Sequence, residues 1–468
     1  MKATLFNRHD FIERSRGFVP VYVDGDSPGA QKVGARFKVG GYPTMVLFNP
    51  QGTEVTRLPG EVDAARYSQV LTLGLNAERP VKTLLAQALG AVPAGAATAP
   101  LAPNDWRLLA FYSWDTDQQQ LVPKEGVPAL LGRLADACPA TLPEAATRLR
   151  LKALAASPGA AAEPDAALRS QLMALLADAV AARTQLDVLS NHAADIARAM
   201  SRSGTPERTA LLATFDAALA RFATDTTLSR ADRMTALQAR VDLARIELPK
   251  ADPASSAPAP QPTLRAALLA DVREQTARAD REITDGYERQ AVVTTAAYVL
   301  QQAGLDAESD AMLQANLAKS HSPYYLMSDL AHNARQRGDA AGALRWYEAA
   351  FDKSQGPATR LQWGHSYLAA LVDLAPGDAA RIERTASGLL TEAAALPDAF
   401  HQRSGRSLQR IGAKLVGWNA RGAHAPAMKR LQTQLDGVCA GMDAADPTRA
   451  ACTGLFKPAA RTSQGASA

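Results

Sequence analysis

A proline near the start of the chain, placed just before an apolar run, limits the possible fold more than any other feature of this sequence. Segment 39–48 reads VGGYPTMVLF, so Pro43 precedes a threonine and a series of large apolar residues that is typical of a strand. A proline gives a sheet no backbone N–H and restricts the residue before it. Pro43 therefore predicts a loop of special backbone shape that leads into a strand at Thr44–Phe48.

The residues on either side of this loop predict a mixed α/β arrangement as far as Leu75. Phe18–Asp24, which reads FVPVYVD, is a short β-branched and aromatic run that ends in turn residues, as expected of a buried strand. Asn49–Gly52 predicts a turn that joins Thr44–Phe48 to a third strand at Thr53–Leu58. The last two strands are therefore expected to form a hairpin.

Two helices are predicted beside these strands. Ser27 offers an N-cap for the first helix, and Pro28 suits its first helical position. Val33 and Phe37 then fall on one face of that helix. The second helix is predicted at Ala64–Leu75, where apolar side chains recur with helical spacing.

The segment Gly41–Thr44 resembles the Gly-x-Pro-Thr motif of the thioredoxin family, in which a cis-proline loop leads into the strand before the hairpin. The resemblance covers about Met1–Leu75 and includes RFKV at 36–39, NPQG at 49–52 and LPG at 58–60. It is greatest for the periplasmic C-terminal domain of the membrane thiol:disulfide interchange proteins. The fold that it implies is an α/β thioredoxin-like domain.

The same resemblance implies a substrate-binding loop without its catalyst. Pro43 is implied to be cis, and the backbone of Tyr42 and Thr44 is implied to hold a substrate peptide in an extended pose. In this family a low-pKa thiolate attacks a disulfide, and a second cysteine resolves the mixed disulfide. That Cys-x-x-C would lie just before Met1. No catalytic residue is therefore assigned, and these residues are expected to be inactive in exchange.

The strand that precedes Cys-x-x-C in the family would also lie before Met1. In the family fold it sits between the counterparts of Phe18–Asp24 and Thr44–Phe48, so both strands would lack their common partner. We therefore expect an N-terminally incomplete thioredoxin-like domain. We therefore favour an internal start at Met1, or a truncated gene, over a mature functional product that begins at Met1.

Beyond this domain the chain reads as helical. A short helix is predicted at Val81–Leu89, and an Ala/Pro-rich segment and the stretch ADPASSAPAPQP predict linkers or disordered loops. The predicted limits are a truncated thioredoxin-like domain at 1–78, a short helix and linker at 79–104, a helical domain at 105–250, a linker at 251–262, a tetratricopeptide-like helical domain at 263–460 and a disordered tail at 461–468.

The second helical domain contains a unit that resembles a tetratricopeptide hairpin. Small and large residues follow the spacing of that repeat around a Gly-Asp turn, at Leu330, Ala331, Gly338, Asp339, Ala343, Tyr347 and Ala350. A looser unit precedes it, from Ala297 through Gly304 to Leu317. Because about three repeats are needed to bury a continuous core, a degenerate helical-repeat array and an irregular helical bundle both fit this pattern.

Further candidate residues for binding are few. Tyr324, Tyr325 and Trp363 either line a groove on the helical array or pack inside it. The seven histidines show no metal-ligand spacing, and no glycine-rich phosphate loop is present. No metal and no other cofactor is therefore assigned.

Three cysteines are too few and too scattered for a disulfide framework or a four-ligand zinc site. Cys439 and Cys452 flank the turn-forming Asp446 and Pro447, and they form either a disulfide or two separate buried thiols. A disulfide across a loop of this size would contribute roughly 3 kcal/mol through loop entropy, and it requires an oxidising compartment. Cys138 is interpreted as a small buried hydrophobe.

Charge and hydropathy bear on partners and location. The chain has 51 basic and 47 acidic residues without a dense basic run, which does not suit nucleic-acid binding. No apolar run is long enough to predict a membrane span. The N-terminus lacks the apolar segment of a signal peptide, so a start at Met1 predicts a cytoplasmic protein. The full-length parent that the resemblance implies is bacterial and periplasmic.

The sequence thus predicts an incomplete thioredoxin-like domain fused to a large α-helical, tetratricopeptide-like region. The family implies thiol:disulfide exchange or protection against oxidative misfolding, with client proteins or thiol-redox proteins as partners. The alternative is a non-catalytic interaction scaffold in which the helical repeats bind the partner. Whether the protein is an enzyme depends on the Cys-x-x-C.

Overall fold

A computed structural model describes residues 5–60, 62–90, 100–157, 159, 164–248 and 263–457. Most of the predicted linkers, at 91–99 and 251–262, and the predicted tail at 461–468 lie outside these described residues. The described sheet has two strands, β1 at Met45–Phe48 and β2 at Glu54–Leu58.

Helices make up the other regular elements of the described ranges. Their bounds are α1 His9–Ser15, α2 Ala30–Arg36, α3 Ala64–Leu75, α4 Val81–Ala88, α5 Pro103–Phe111, α6 Val127–Ala137, α7 Pro143–Ala155, α8 Ala166–Ala177, α9 Ala179–Thr184, α10 Leu186–Asn191, α11 Ala193–Met200, α12 Pro206–Thr224, α13 Arg230–Ala244, α14 Ala266–Glu282, α15 Gly286–Gln302, α16 Asp306–Asn316, α17 Pro323–Gln336, α18 Ala340–Lys353, α19 Pro357–Leu374, α20 Ala379–Ala394, α21 Gln402–Trp418, α22 Ala425–Ala440 and α23 Arg449–Thr453. Short 3-10 helices lie at Trp114–Thr116 and Lys124–Gly126. A small sheet with helices, followed by a large all-helical region, is consistent with the predicted fold class of an incomplete thioredoxin-like domain followed by helices.

The described chain forms two compact units. Among the described residues, the first contains those at 5–20, 42–248 and 263–321, and the second contains those at 21–41 and 322–457. This division differs from the predicted domain limits, because one apolar core of the first unit runs from Leu151 through Leu237 to Ala303. Helices α14 to α16, which were assigned to the second helical domain, therefore belong to the first unit.

The hairpin of the first unit forms where the sequence predicts it. Strands β1 and β2 pair antiparallel, with Met45 opposite Leu58. In the turn, the side-chain oxygen of Asn49 accepts a hydrogen bond of 2.8 Å from the N–H of Thr53, and Gly52 has a φ of 79°. Positive φ is easiest for glycine, so NPQG encodes this turn directly.

Helix α3 belongs to the same apolar cluster as the hairpin, and it confirms the predicted helix at Ala64–Leu75. Asp63 caps it by accepting hydrogen bonds of 3.1 and 3.2 Å from two N–H groups of the first turn. Its apolar face is buried, with Tyr67, Val70 and Leu71 at most 2% exposed. Burial of each large side chain contributes about 1.5–3 kcal/mol relative to exposure, so this face stabilises the first unit.

The predicted strand at Phe18–Asp24 is wrong. This segment lies outside the two-stranded described sheet, and Val19, Val21 and Tyr22 are 87%, 80% and 73% exposed. A buried strand needs neighbouring strands for its backbone N–H and C=O groups. Apolar composition alone carries no information on whether such neighbours are present.

The helix predicted after Ser27 begins later than expected and faces another way. Helix α2 starts at Ala30, and Gly29 takes the N-cap position with a φ of 78° and without a side-chain cap. Val33 is 39% exposed, whereas Gln31 is 2% exposed. The predicted cap at Ser27 and the predicted apolar face are therefore wrong, because α2 packs in the second unit by a face that includes a polar side chain.

Polar contacts hold segment 21–41 in the second unit. The carboxylate of Asp26 accepts hydrogen bonds from the N–H and the hydroxyl of Thr359, at 2.8 and 2.6 Å, at the start of α19. It also pairs with Arg403 at 3.1 Å. The N–H of Gln31 donates to the carboxylate of Asp398 at 2.8 Å. Asp26 therefore acts as an N-cap for a helix that is distant in sequence.

The predicted tetratricopeptide-like unit is a helical hairpin made of α17 and α18. Gly338 turns the chain with a φ of 78°, and Asp339 caps α18 by accepting a hydrogen bond of 2.7 Å from the N–H of Gly342. Ala343 and Ala350 are fully buried. The hairpin is thus confirmed, while its membership of the tetratricopeptide family stays a prediction.

Candidate functional site

The loop predicted to bind substrate, Tyr42–Thr44, lies in the first unit just before β1. The peptide bond between Tyr42 and Pro43 is cis, as the resemblance implies. Tyr42 is 47% exposed, Pro43 is also exposed, and Thr44 is half-buried. The loop therefore lies at the surface of its unit, and its role in peptide binding stays a prediction.

Cys138 is the free cysteine of the chain, and it belongs to the first unit. It is 8% exposed, and burial raises the pKa of its thiol. The thiolate is the nucleophilic form, so a raised pKa lowers the reactivity of a buried cysteine. The prediction of a small buried hydrophobe is confirmed.

Cys439 and Cys452 are joined by a disulfide in the second unit. Their Cα atoms are 5.8 Å apart, which suits disulfide geometry, and both residues are almost fully buried. Cys439 lies near the end of α22 and Cys452 lies in α23, so the bond links these two helices. Of the two alternatives that the sequence left open, the structure has the bonded one.

The family profile described as a thioredoxin-like domain matches residues 1–74. This segment carries a thioredoxin-like domain. The thioredoxin-like domain includes β1, β2, nearly all of α3 and the cis-proline loop. Its described residues are divided between the two units, since 21–41 belong to the second. No curated protein and no solved structure matches the chain.

An aromatic cluster in the second unit contains Tyr324, Tyr325 and Trp363. The ring of Trp363 packs edge-on against both tyrosines, with centroid distances of 5.6 and 5.1 Å. Trp363 is 8% exposed, whereas Tyr325 is 42% exposed. The indole N–H of Trp363 has no hydrogen-bond acceptor among the described residues. The cluster thus combines the two predicted alternatives, a core residue and an exposed aromatic surface.

The sequence analysis did not identify a half-buried acid on α17, Asp329. Burial raises the pKa of Asp329 to about 7, and no ion-pair partner for it lies within the described ranges. On α19, burial, with help from the nearby charges of Arg410 and Lys414, lowers the pKa of His365 to about 4. Perturbed groups of this kind are frequent at functional sites. The available signal was an aspartate that directly precedes Leu330 and Ala331, two residues of the predicted hairpin.

In the part of the chain that the structure describes, no three His, Cys, Asp or Glu side chains are grouped to hold a metal ion. None of the described helices is both long and apolar enough to cross a bilayer. The expectation that nucleic acid is not a partner stays a prediction.

Proposed function

We propose that this protein uses a thioredoxin-like domain to bind protein partners, and that residues 1–468 do not themselves carry out thiol:disulfide exchange. The proposal rests on the bonding and burial of the three cysteines. Cys439 and Cys452 are bonded to each other, and Cys138 is buried. Exchange requires an accessible thiolate of low pKa and a second cysteine that resolves the mixed disulfide.

The cis-proline loop supports binding of an extended peptide. Its exposed Tyr42 and its position beside β1 are the relevant features. β1 is an edge strand of the described two-stranded sheet, and extended peptides commonly bind by adding to such an edge. Client proteins that expose an unfolded segment, or thiol-redox proteins, are therefore the proposed partners.

The helical region supports a second candidate function, that of a non-catalytic scaffold. The exposed ring of Tyr325 rests on the buried indole of Trp363, an arrangement that suits protein–protein contacts. In this candidate, tetratricopeptide-like hairpins recruit the partner and the thioredoxin-like domain is an accessory. The two candidates differ in which surface touches the partner.

A periplasmic, bacterial location for the full-length parent is also proposed. The Cys439–Cys452 disulfide supports it, because disulfides persist in oxidising compartments and are rare in the cytosol. Peptide mapping by mass spectrometry without reduction, on protein taken from its native cells, tests this point. Two free thiols in that material would count against the oxidising location.

The absence of exchange is tested by insulin reduction in the presence of dithiothreitol. We expect the rate with the full chain to equal the rate with dithiothreitol alone, and an active thioredoxin serves as the positive control. Cys138→Ser should behave in the same way as the unmodified chain. A clear rate that disappears in Cys138→Ser would contradict the proposal, because it would show that the buried thiol reacts.

The binding surface is tested by site-specific photocrosslinking to reduced, carboxymethylated lactalbumin, a permanently unfolded protein. A photoreactive residue at Tyr42 should give crosslinks, and one at Tyr287, an equally exposed tyrosine of the same unit, should not. Crosslinks at Tyr325 without any at Tyr42 would favour the scaffold instead. Crosslinks at neither Tyr42 nor Tyr325 would contradict both candidates.

A further inference from the structure

A cavity of about 270 Å³ lies within the first unit. Residues near the start of α3, among them Asp63 and Tyr67, form one part of its wall. Residues of α10 and α13, among them Asp187, Ser190 and Asp232, form another. Its volume is slightly below the ~300–1,000 Å³ of typical small-molecule sites, so any ligand is small.

Two of the three carboxylates in the wall have a cationic partner. Asp187 forms two hydrogen bonds with the guanidinium of Arg148, at 2.9 and 2.6 Å, and both side chains are buried. Asp63 pairs with Arg183 at 3.1 Å while it caps α3. The negative charges of these two residues are therefore largely balanced by the protein itself.

Asp232 differs from the other two. Within the described ranges it has no ion-pair partner, and its carboxylate accepts a hydrogen bond of 2.7 Å from the hydroxyl of Ser229. Burial raises the pKa of Asp232, and the nearby charge of Asp63 raises it further. The charge of Arg183 acts in the opposite direction and lowers this pKa, but Arg183 is paired with Asp63, so Asp232 brings to the cavity a carboxylate without an ion pair of its own among the described residues.

Ser190 provides an independent observation. It is 7% exposed and lines the same cavity. Its hydroxyl has no hydrogen-bond partner in the described chain. Buried hydroxyl groups almost always have a partner, so an unpartnered one in a cavity wall indicates a position for a polar ligand atom.

We propose that this cavity binds a small primary amine that carries a short apolar chain. An ammonium group carries a positive charge that can pair with the carboxylate of Asp232. It also donates three hydrogen bonds, one of which the hydroxyl of Ser190 can accept. Leu5, Val62 and Leu186 line the same cavity and offer apolar contacts to the carbon chain. The carboxylate of Asp232, which has no ion pair among the described residues, disfavours carboxylates and phosphates by charge repulsion.

The first test is a saturation-transfer NMR titration of the full chain with n-butylamine, with 1-butanol as a neutral probe of the same shape. We expect saturable binding of the amine and at least tenfold weaker binding of the alcohol, since the ion pair with Asp232 is absent. Equal binding of both probes, or no saturable binding of the amine, would overturn the proposal.

The second test separates a free amine from a lysine side chain of a partner, since both carry the same ammonium group. Nα-acetyl-lysine methylamide adds a peptide unit that a cavity of this size should exclude, so we expect it to bind at least tenfold more weakly than n-butylamine. Tighter binding of the lysine derivative would overturn the assignment to a free amine.

Substitutions in the wall locate the site. Asp232→Asn keeps the shape and removes the charge, so the Kd for n-butylamine should rise at least tenfold. Asp195→Asn, at a half-exposed carboxylate on α11, is the matched control and should leave the Kd unchanged. An equal rise in both would show general attraction to negative charge, and would overturn the proposal.

A second variant keeps the test decisive if Asp232→Asn does not fold. Ser190→Val replaces the hydroxyl with a methyl group and adds a second methyl group that narrows the cavity, so it should raise the Kd severalfold. Circular dichroism verifies that each variant is folded before titration. Unchanged affinity in Ser190→Val would contradict the position assigned to the ammonium group.

Discussion

Residues 42–74 and residues 21–41 fall in one stretch of family similarity, yet the contacts that stabilise them differ in kind. In the first segment, Leu58, Tyr67 and Leu71 are buried in an apolar cluster of the first unit. In the second segment, Asp26 and Gln31 make hydrogen bonds to helices of the second unit. Apolar burial is non-directional, whereas hydrogen bonds require particular partners. The hydrogen bonds to Thr359 and Asp398 therefore tie the second segment to particular residues more than 300 positions along the chain.

The largest effect on stability should come from a substitution in the first segment, residues 42–74. Leu71→Ala removes a fully buried side chain and leaves a cavity, so the free energy of unfolding should fall by about 2–5 kcal/mol. Val21→Ala, at an 80% exposed position, should change it by less than about 0.5 kcal/mol. Urea denaturation followed by circular dichroism gives both values. A similar decrease in the free energy of unfolding for both variants would contradict the proposed difference between the segments.

A backbone change should have the next largest effect. Gly356 has a φ of 89°, and a Cβ there would collide with the carboxylate of Asp26. Gly356→Ala should therefore destabilise the second unit by about 1–3 kcal/mol. Gly377→Ala is the control, because that position has open space and no positive φ. The midpoints of thermal unfolding of the two variants are compared. An unchanged midpoint for Gly356→Ala would refute the close approach between Gly356 and the side chain of Asp26.

Loss of the distant cap should have a smaller effect. Asp26→Ala removes the hydrogen bonds to Thr359 and the ion pair with Arg403, which should destabilise the second unit by about 1–2 kcal/mol. Ser27→Ala should be neutral, because Ser27 does not cap α2. Hydrogen exchange should speed up in the first turn of α19 in Asp26→Ala alone. Faster exchange in both variants would contradict the cap.

The smallest effect should be the contribution of Asp446 to the pH dependence of stability. Hydrogen bonds, above all from the Thr448 hydroxyl and also from His401 and Lys32, hold the pKa of Asp446 well below its usual range. Because this pKa is lowered by folding, the stabilisation is present above the unfolded-state pKa of about 4 and is lost as the pH falls further. Unfolding midpoints measured between pH 6 and pH 2 should drop less steeply in Asp446→Asn. Parallel curves would exclude a role for this carboxylate.

The sequence predicted those elements whose stability is local. The hairpin follows from Asn49 and Gly52 in its turn, and α3 follows from Asp63 and the spacing of its apolar residues. Each element depends on residues that are close together in sequence, so the local sequence pattern is enough to predict it. The helical hairpin around Gly338 is predictable for the same reason.

The errors fall where distant partners decide the outcome. Phe18–Asp24 has the composition of a buried strand, but strand formation depends on neighbours that composition does not reveal. The face of α2 was predicted from Val33, whereas Asp398 and other residues far along the chain determine which side is buried. The cavity beside Asp232 was not predicted at all, since α3, α10 and α13 supply its walls from three separate stretches of sequence.

The cap that Asp26 provides for α19 has a consequence for the ancestry of this chain. A thioredoxin-like segment moved alone into another protein would carry Asp26 and Gln31 but leave Thr359 and Asp398 behind. Inheritance of the segment is therefore tied to inheritance of the helices that follow it. Recombination between the two is expected to be selected against, and relatives that keep Asp26 should keep a hydroxyl-bearing residue in place of Thr359.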